Sequence, residues 1–321
     1  MKNLNLLFIA PKFFSYEKRI IEELSPFYNE IIFKTEIPFQ SSFLFYALKR
    51  LSKKAAEFSL SNYNKELIKI IEDKKIDRIF IIRGFGLNEE FLKSIKEIHP
   101  KILVFHYQWD SFDIVPNALL ISKYSDYNFS FDMNDVKNNV KFEHLPLFSL
   151  LKNTNQNEKI KNDVLFIGTY HSNRINISKR IKDYCEQNNL KYFDYLYIPF
   201  FSYVRNRLQN KNINFSEIKL KKLSYNEYTK LLLSAKIIVD SPYEKQFGAT
   251  MRTIETLSLR KKLISTNKLL VKEKFYSPSN ILILNNNDDF NIDLLLESDF
   301  DNSKNEEILN LKDWLKRIQI I

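Results

Sequence analysis

Short apolar runs alternate with longer amphipathic stretches along this chain, and the alternation occurs twice. Residues 4–10 (LNLLFIA) are a continuous apolar run closed by Pro11, the pattern of a strand covered on both faces. Residues 15–25 carry helical spacing, and 30–34 (EIIFK) predict a second strand. Leu44, Leu48, Leu51 and Ala55, then Leu67, Ile68 and Ile71, predict two helices within 41–74. Residues 78–83 (RIFIIR) predict a strand that runs into Gly84-Phe85-Gly86, and 88–98 a helix. Residues 102–107 (ILVFHY) predict a strand leading into Gln108-Trp109-Asp110-Ser111, and shorter elements fill 116–148. The polar, Asn-rich stretch 150–162 reads as a linker. Strand 163–168 (DVLFIG) and helix 173–188 then restart the alternation, followed by strand 191–197. Ser224 and Glu227 form a capping box for a helix at 224–235. Strands at 237–240, 263–266 and 280–284, a helix at 249–259 and a last helix-like segment at 304–318 complete the pattern.

Two successive βα-alternating halves predict an α/β protein with two doubly wound sheets. The boundaries expected are 1–150 for an N-terminal domain and 151–303 for a C-terminal domain, with 304–321 packing back on the first. Ligands of such sheets bind beyond the carboxyl ends of the strands.

Composition narrows the chemistry. Only 4 of the 321 residues are glycine, which excludes a P-loop and a GxGxxG dinucleotide fingerprint. Each surviving glycine marks a place where the backbone resists replacement. Cys185 is alone, so a disulfide framework and a Cys-based zinc site are excluded, as suits a reducing cytoplasm. No apolar run approaches the roughly 18 residues of a membrane span, and the opening LLFIA is too short for a signal-peptide core. The net charge of +10 favours anionic partners or simply solvates the surface. No zinc-finger or RRM signature supports nucleic acid among those partners. The basic, aromatic stretch 39–58 reads either as a helix lying on an anionic membrane surface or as a core helix with a basic outer face. A similar patch occurs at 198–207.

Ile237 to Asn267 is the most informative stretch. A strand ends at Asp240, and Gly248 precedes a helix that begins near Thr250. A glycine there lets a phosphate reach the free N–H groups and the positive end of the helix dipole. Arg252 and Glu255 are three apart and share one face. The arginine suits a phosphate and the glutamate suits ribose hydroxyls; an ordinary surface ion pair is the alternative. Gly168 ends another strand, and His171 and Arg174 follow it among polar residues at a helix start. His171 reads as a ligand contact or as a hydrogen-bonded loop histidine. Gly84 and Gly86 admit a close approach by a ligand or form a tight βα turn. Asp299-Phe300-Asp301 has DxD form but lacks a preceding strand.

Gln246-x-Gly248-x-Thr250-x-Arg252-Thr253-x-Glu255-x-Leu257, with Lys261-Lys262 and Thr266-Asn267 after it, resembles the C-terminal signature of bacterial GT-B glycosyltransferases. These act on lipopolysaccharide, capsule and related glycans and include the CgeB-like proteins. Arg260 stands where relatives often have glycine. VLFIGTYHSNR (164–174) and HYQWDSF (106–112) look like further segments of the same family. The resemblance implies two Rossmann-like domains facing a cleft. It implies a nucleotide-sugar donor held by Gly168, His171, Arg174, Gln246, Gly248, Thr250, Arg252 and Glu255, with Arg252 neutralising the leaving phosphate in place of a metal. The glycan or lipid-linked glycan acceptor would meet Gly84, Gly86 and Trp109, which can stack on a sugar face. Asp110 would be the general base, unless it is a helix N-cap. Neither a metal nor another cofactor is expected. The enzyme would be cytoplasmic or peripheral at the inner face of the membrane. An epimerase or hydrolase acting on nucleotide sugars is the rival from the same fold, and a basic nucleic-acid-binding protein the rival from another class.

Overall fold

The computed structural model describes residues 3–39, 42–151, 158–170, 173–209, 213–243, 245–285 and 290–321. It divides into two compact units, Met1–Leu147 with Leu311–Ile321, and Phe148–Asn310.

The first unit runs β1 (Asn5–Ile9), α1 (Tyr16–Leu24), β2 (Glu30–Lys34), α2 (Ser42–Leu51), α3 (Lys53–Asp73), β3 (Arg78–Ile82), α4 (Glu89–Ile98), β4 (Leu103–Gln108), α5 (Ala118–Ile121), β5 (Tyr127–Ser130), α6 (Met133–Lys137) and β6 (Glu143–His144). Its sheet is parallel throughout, in the order β2-β1-β3-β4-β5-β6. Helices cover both faces, so β1 and β3 are apolar at four successive positions each, Leu6–Ile9 and Ile79–Ile82. Leu7, Ile9, Ile79, Ile81 and Val104 pack against Leu67 and Ile71 of α3 and Phe91, Leu92 and Ile95 of α4. Phe8 and Phe80 stack on the other face with centroids 5.3 Å apart.

The second unit runs β7 (Asn162–Thr169), α7 (Arg174–Gln187), β8 (Tyr192–Tyr197), α8 (Phe200–Leu208), α9 (Tyr225–Leu233), β9 (Ala235–Asp240), α10 (Met251–Ser258), β10 (Lys262–Ser265), β11 (Ile281–Ile283) and α11 (Asp293–Glu297). Its order is β11-β10-β9-β7-β8, again all parallel. One face packs Val164, Phe166, Ile237 and Val239 against Ile177, Ile181 and Cys185 of α7. The other packs Leu165, Ile167 and Ile238 against Leu232 of α9.

Each unit therefore winds outward both ways from its first strand. The strand order reverses between β1 and β3 in one unit and between β7 and β9 in the other. Connections leaving those paired strands diverge to opposite faces of the sheet, which opens a crevice at their carboxyl ends.

The segment 304–318, expected as one helix, is two. Residues 302–307 form a 3₁₀ turn capped by Asp301, whose Oδ1 accepts from the Ser303 N–H at 3.0 Å. Asn310 then pairs with Ser149 as an isolated bridge, and the extended backbone this requires ends the turn. Only α12 (Leu311–Arg317) is α-helical. It belongs to the first unit, where fully buried Trp314 lies edge-on to Tyr107 at 4.6 Å and against Phe80 at 6.1 Å. The Ile320 carbonyl accepts from Tyr28 Oη at 2.6 Å and Arg78 Nη1 at 3.1 Å.

Trp314→Ala should empty the largest fully buried side chain of this face and destabilise the first unit by about 3–5 kcal/mol. Urea unfolding followed by circular dichroism measures it. Leu294→Ala, at an exposed position of α11, should stay within about 0.5 kcal/mol of the parent.

Candidate functional site

Asp240 is the last residue of β9, and it is only 1% exposed. A carboxylate so placed needs charge and hydrogen-bond donors around it. It finds them on the first turn of α10. Thr250 Oγ1 donates to Oδ2, Thr253 Oγ1 donates to the same oxygen at 2.8 Å, and Arg252 Nη1 pairs with Oδ1 at 3.0 Å. Thr250 is also the N-cap of α10, its hydroxyl accepting from the Thr253 N–H. A single strand-end acid thus sets the start of the helix and the direction of its arginine.

Arg174 enters from the start of α7. Its Nε donates to the Ser241 carbonyl at 2.7 Å and its Nη1 to the Thr169 carbonyl at 3.2 Å. Gly168 lies beneath: a Cβ there would sit 3.5 Å from Arg174 Cδ. Burial, then the charge of Arg252, lowers the Arg174 pKa to about 10, with Asp240 opposing both. Arg252 is thus paired with the one carboxylate at the β7/β9 reversal, while Arg174 lies within reach of its charge and bonds backbone carbonyls instead. Arg252 Nε is buried and has no acceptor among the described residues. The partial positive charge of the α10 N-terminus adds to this excess. An anion is the complement of such a place.

Arg252 and Glu255 do leave the same helix, but they serve different partners. Glu255 is 1% exposed and accepts from Tyr228 Oη at 2.8 Å and Tyr225 Oη at 3.2 Å, both on α9. Burial, then the charge of Glu255, raises the Tyr228 pKa well above its ordinary value. The alternative of an exposed surface ion pair is thereby corrected: both side chains are tied into the unit. Sequence reasoning missed the two tyrosines, although their i, i+3 spacing behind the Ser224 cap places them on one face.

The loop before α10 is pinned from β10. Asn267 Nδ2 donates to the carbonyls of Phe247 at 2.8 Å and Gly248 at 3.3 Å. Gln246 is half-buried, and its N–H donates to the Tyr243 carbonyl. Arg260 takes a left-handed conformation with φ 56° at the end of α10. Its N–H reaches the Leu257 carbonyl and that of Lys261 the Thr256 carbonyl, a Schellman closure that normally favours glycine. Lys261 and Lys262 donate to the Leu233 and Leu295 carbonyls, so this basic pair secures neighbouring elements. His171 lies outside the described residues.

In the first unit the sequence-derived residues gather around a second ion pair. Arg83 follows β3 with a left-handed φ of 69°. It pairs with Glu36, which is 2% exposed, and its Nη1 reaches Asp110 Oδ2 at 3.1 Å. Asp110 is therefore an ion-paired strand-end acid and caps no helix; the cap of α6 is Asp132. Gly84 has φ 71°, and a Cβ at Gly86 would collide with the Glu36 carbonyl. These glycines let the turn pack against protein, which is the tight-turn alternative. Trp109 is half-buried with its ring 6.2 Å from that of Phe13. Asp135 went unnoticed in the sequence. Its carboxylate accepts the Phe112 N–H at 2.9 Å, and burial, with the charges of Asp132 and Asp113, raises its pKa to about 7. His106 is fully buried, and desolvation lowers its pKa to about 4.

No protein-family model and no curated protein sequence matches the chain. Solved structures match along its whole length. The chain is similar to a UDP-GlcNAc 2-epimerase from Neisseria meningitidis bound to UDP-GlcNAc, at 13% identity and a TM-score of 0.56, over 99% of each chain. It is similar to the lipopolysaccharide outer core galactosyltransferase WaaB, at 12% identity and a TM-score of 0.54, again over 99% of each. It is similar to OtsA, at 11% identity and a TM-score of 0.63, over 99% of this chain and 98% of that one. With two parallel, doubly wound sheets, the chain has the two-domain, Rossmann-like GT-B fold.

Proposed function

We propose that this protein is a glycosyltransferase that moves a sugar from a nucleotide-sugar donor to a cell-envelope glycan such as lipopolysaccharide or capsule. The observation that carries the reading is the nearness of two arginines to one buried carboxylate at the α10 N-terminus, Arg252 paired with it and Arg174 held by the Ser241 and Thr169 carbonyls. A diphosphate supplies the missing negative charge, and Arg252 Nε is a buried donor that finds no acceptor among the described residues. Fixed cations at that point also stabilise the diphosphate as it leaves, since they are oriented before the reaction begins. Gly168, Thr250 and Gly248 shape the backbone around the phosphates, Gln246 flanks them, and Glu255 with its two tyrosines supports the nucleoside side. In the first unit, Asp110 removes the proton of the acceptor hydroxyl, held in place by Arg83, while Trp109 offers a ring to the sugar. Gly84 and Gly86 shape the turn beside them.

A second reading is a nucleotide-sugar epimerase or hydrolase, favoured by the full-length likeness to an enzyme bound to UDP-GlcNAc. Incubating donor without acceptor separates the two. Rapid consumption of donor supports the epimerase or hydrolase, and consumption that requires a glycan supports the transferase.

Two outcomes test the residues. Arg174→Gln removes a charge that, among the described residues, hydrogen-bonds to backbone carbonyls, and should weaken nucleotide-sugar binding about tenfold, with circular dichroism unchanged. Arg252→Lys keeps a cation beside Asp240 but loses the planar fork and should weaken binding similarly. Calorimetric affinities equal to the parent for both variants would refute the donor site. Asp110→Asn should leave donor affinity intact and reduce transfer about 10²–10⁴-fold. Turnover close to the parent's would remove Asp110 from the base role.

A further inference from the structure

Helix α8 buries none of its residues, although four of its nine are large and apolar. Phe200, Phe201, Val204 and Leu208 are all exposed, Phe201 at 82% and Leu208 at 80%. At about 100° per residue, these four fall within an arc of about 100°. Arg207 lies just outside one edge of that arc and Arg205 just outside the other. Phe215, also exposed, extends the apolar surface through its edge-on contact with Tyr203 at 5.8 Å.

Charge is as one-sided as the apolar stripe. From Tyr195 to Ser216 the sequence carries Arg205, Arg207 and Lys211 and no aspartate or glutamate. The next acid, Glu217, is paired with Lys179 at 3.2 Å. Stretch 39–58, the stronger candidate by sequence, is different in the structure. Its Phe45 turns inward onto Ile37 and Ala56, and Leu48 is half-buried, so part of its apolar content belongs to the core.

We propose that α8 is a membrane-docking helix that lies in the headgroup region of an anionic bilayer. A convex apolar ridge with an arginine on either flank fits that occupant. The aromatic and aliphatic side chains enter the acyl boundary, and the arginine stems run along the ridge to bring their guanidinium groups to lipid phosphates. A bilayer also needs no groove to receive a convex stripe. This inference concerns a different surface from the Arg174–Arg252 site and stands whether or not that site takes a nucleotide sugar.

Vesicle co-sedimentation of the full-length protein tests it, with vesicles of phosphatidylglycerol and phosphatidylcholine compared with phosphatidylcholine alone. Binding is expected to the anionic vesicles and to weaken as salt is added. Phe201→Ser combined with Leu208→Ser should reduce partitioning about tenfold or more, since both side chains are largely exposed in the folded chain. Arg205→Gln combined with Arg207→Gln should reduce it roughly tenfold on anionic vesicles. Thermal unfolding unchanged from the parent confirms that both double variants fold. Equal partitioning of the Ser variant and the parent would overturn the proposal, as would equal binding of the parent to both vesicle types. A concentration-dependent dimer that the Ser variant abolishes, with no vesicle binding by the parent, would assign the face to a second copy instead.

Discussion

A carboxylate buried at the end of a central strand has to be answered by its surroundings, and in the second unit that constraint is Asp240. Left alone it would hold a charge in a nearly dry place. The first turn of α10 supplies two hydroxyls and a guanidinium, and the same turn supplies the helix cap. The start of α10, the direction of Arg252 and the positive surplus with Arg174 all follow from that one demand. The chemistry of the site is thus a by-product of satisfying the fold: the acid pairs with Arg252, and Arg174, on carbonyls at the strand ends, leaves a positive excess beside it.

The first unit solves a related problem with the numbers reversed, one arginine between two acids. Glu36 is the buried group, and Arg83, in a left-handed conformation, answers it while extending a second nitrogen to Asp110. A non-glycine residue at positive φ is retained where surrounding contacts over-determine it. Here they include the Phe85 N–H on Glu36 and the close passage of Gly86 beneath the Glu36 carbonyl. Strand-end acids gripped by arginines recur in both units, each at the carboxyl edge of its own sheet.

Much of this was legible because parallel strands covered on both faces have a strong signature. Runs such as LNLLFIA and DVLFIG leave little else for a chain to do with them. The helix after Gly248 was legible through its cap and spacing. The partners of its side chains were not. Glu255 meets Tyr225 and Tyr228 across about thirty residues of sequence, and Arg83 meets Glu36 across nearly fifty, distances over which spacing carries no information. The break near Asn310 was hidden for the same reason, since its cause is the pairing with Ser149.

The amino-acid sequence by itself determined the alternation, the two doubly wound sheets, the absence of glycine-rich phosphate loops and the identity of the strand-end acids and arginines. These are local properties, set by the period of apolar positions and by backbone chemistry. Only the tertiary structure decided which acid each arginine answers, which aromatic helix gives part of its apolar face to the core and which is left bare. Pairing and burial depend on what the rest of the chain brings to the same place. Phe45 and Phe201 have the same side chain, and only the fold gives one a neighbour and leaves the other exposed.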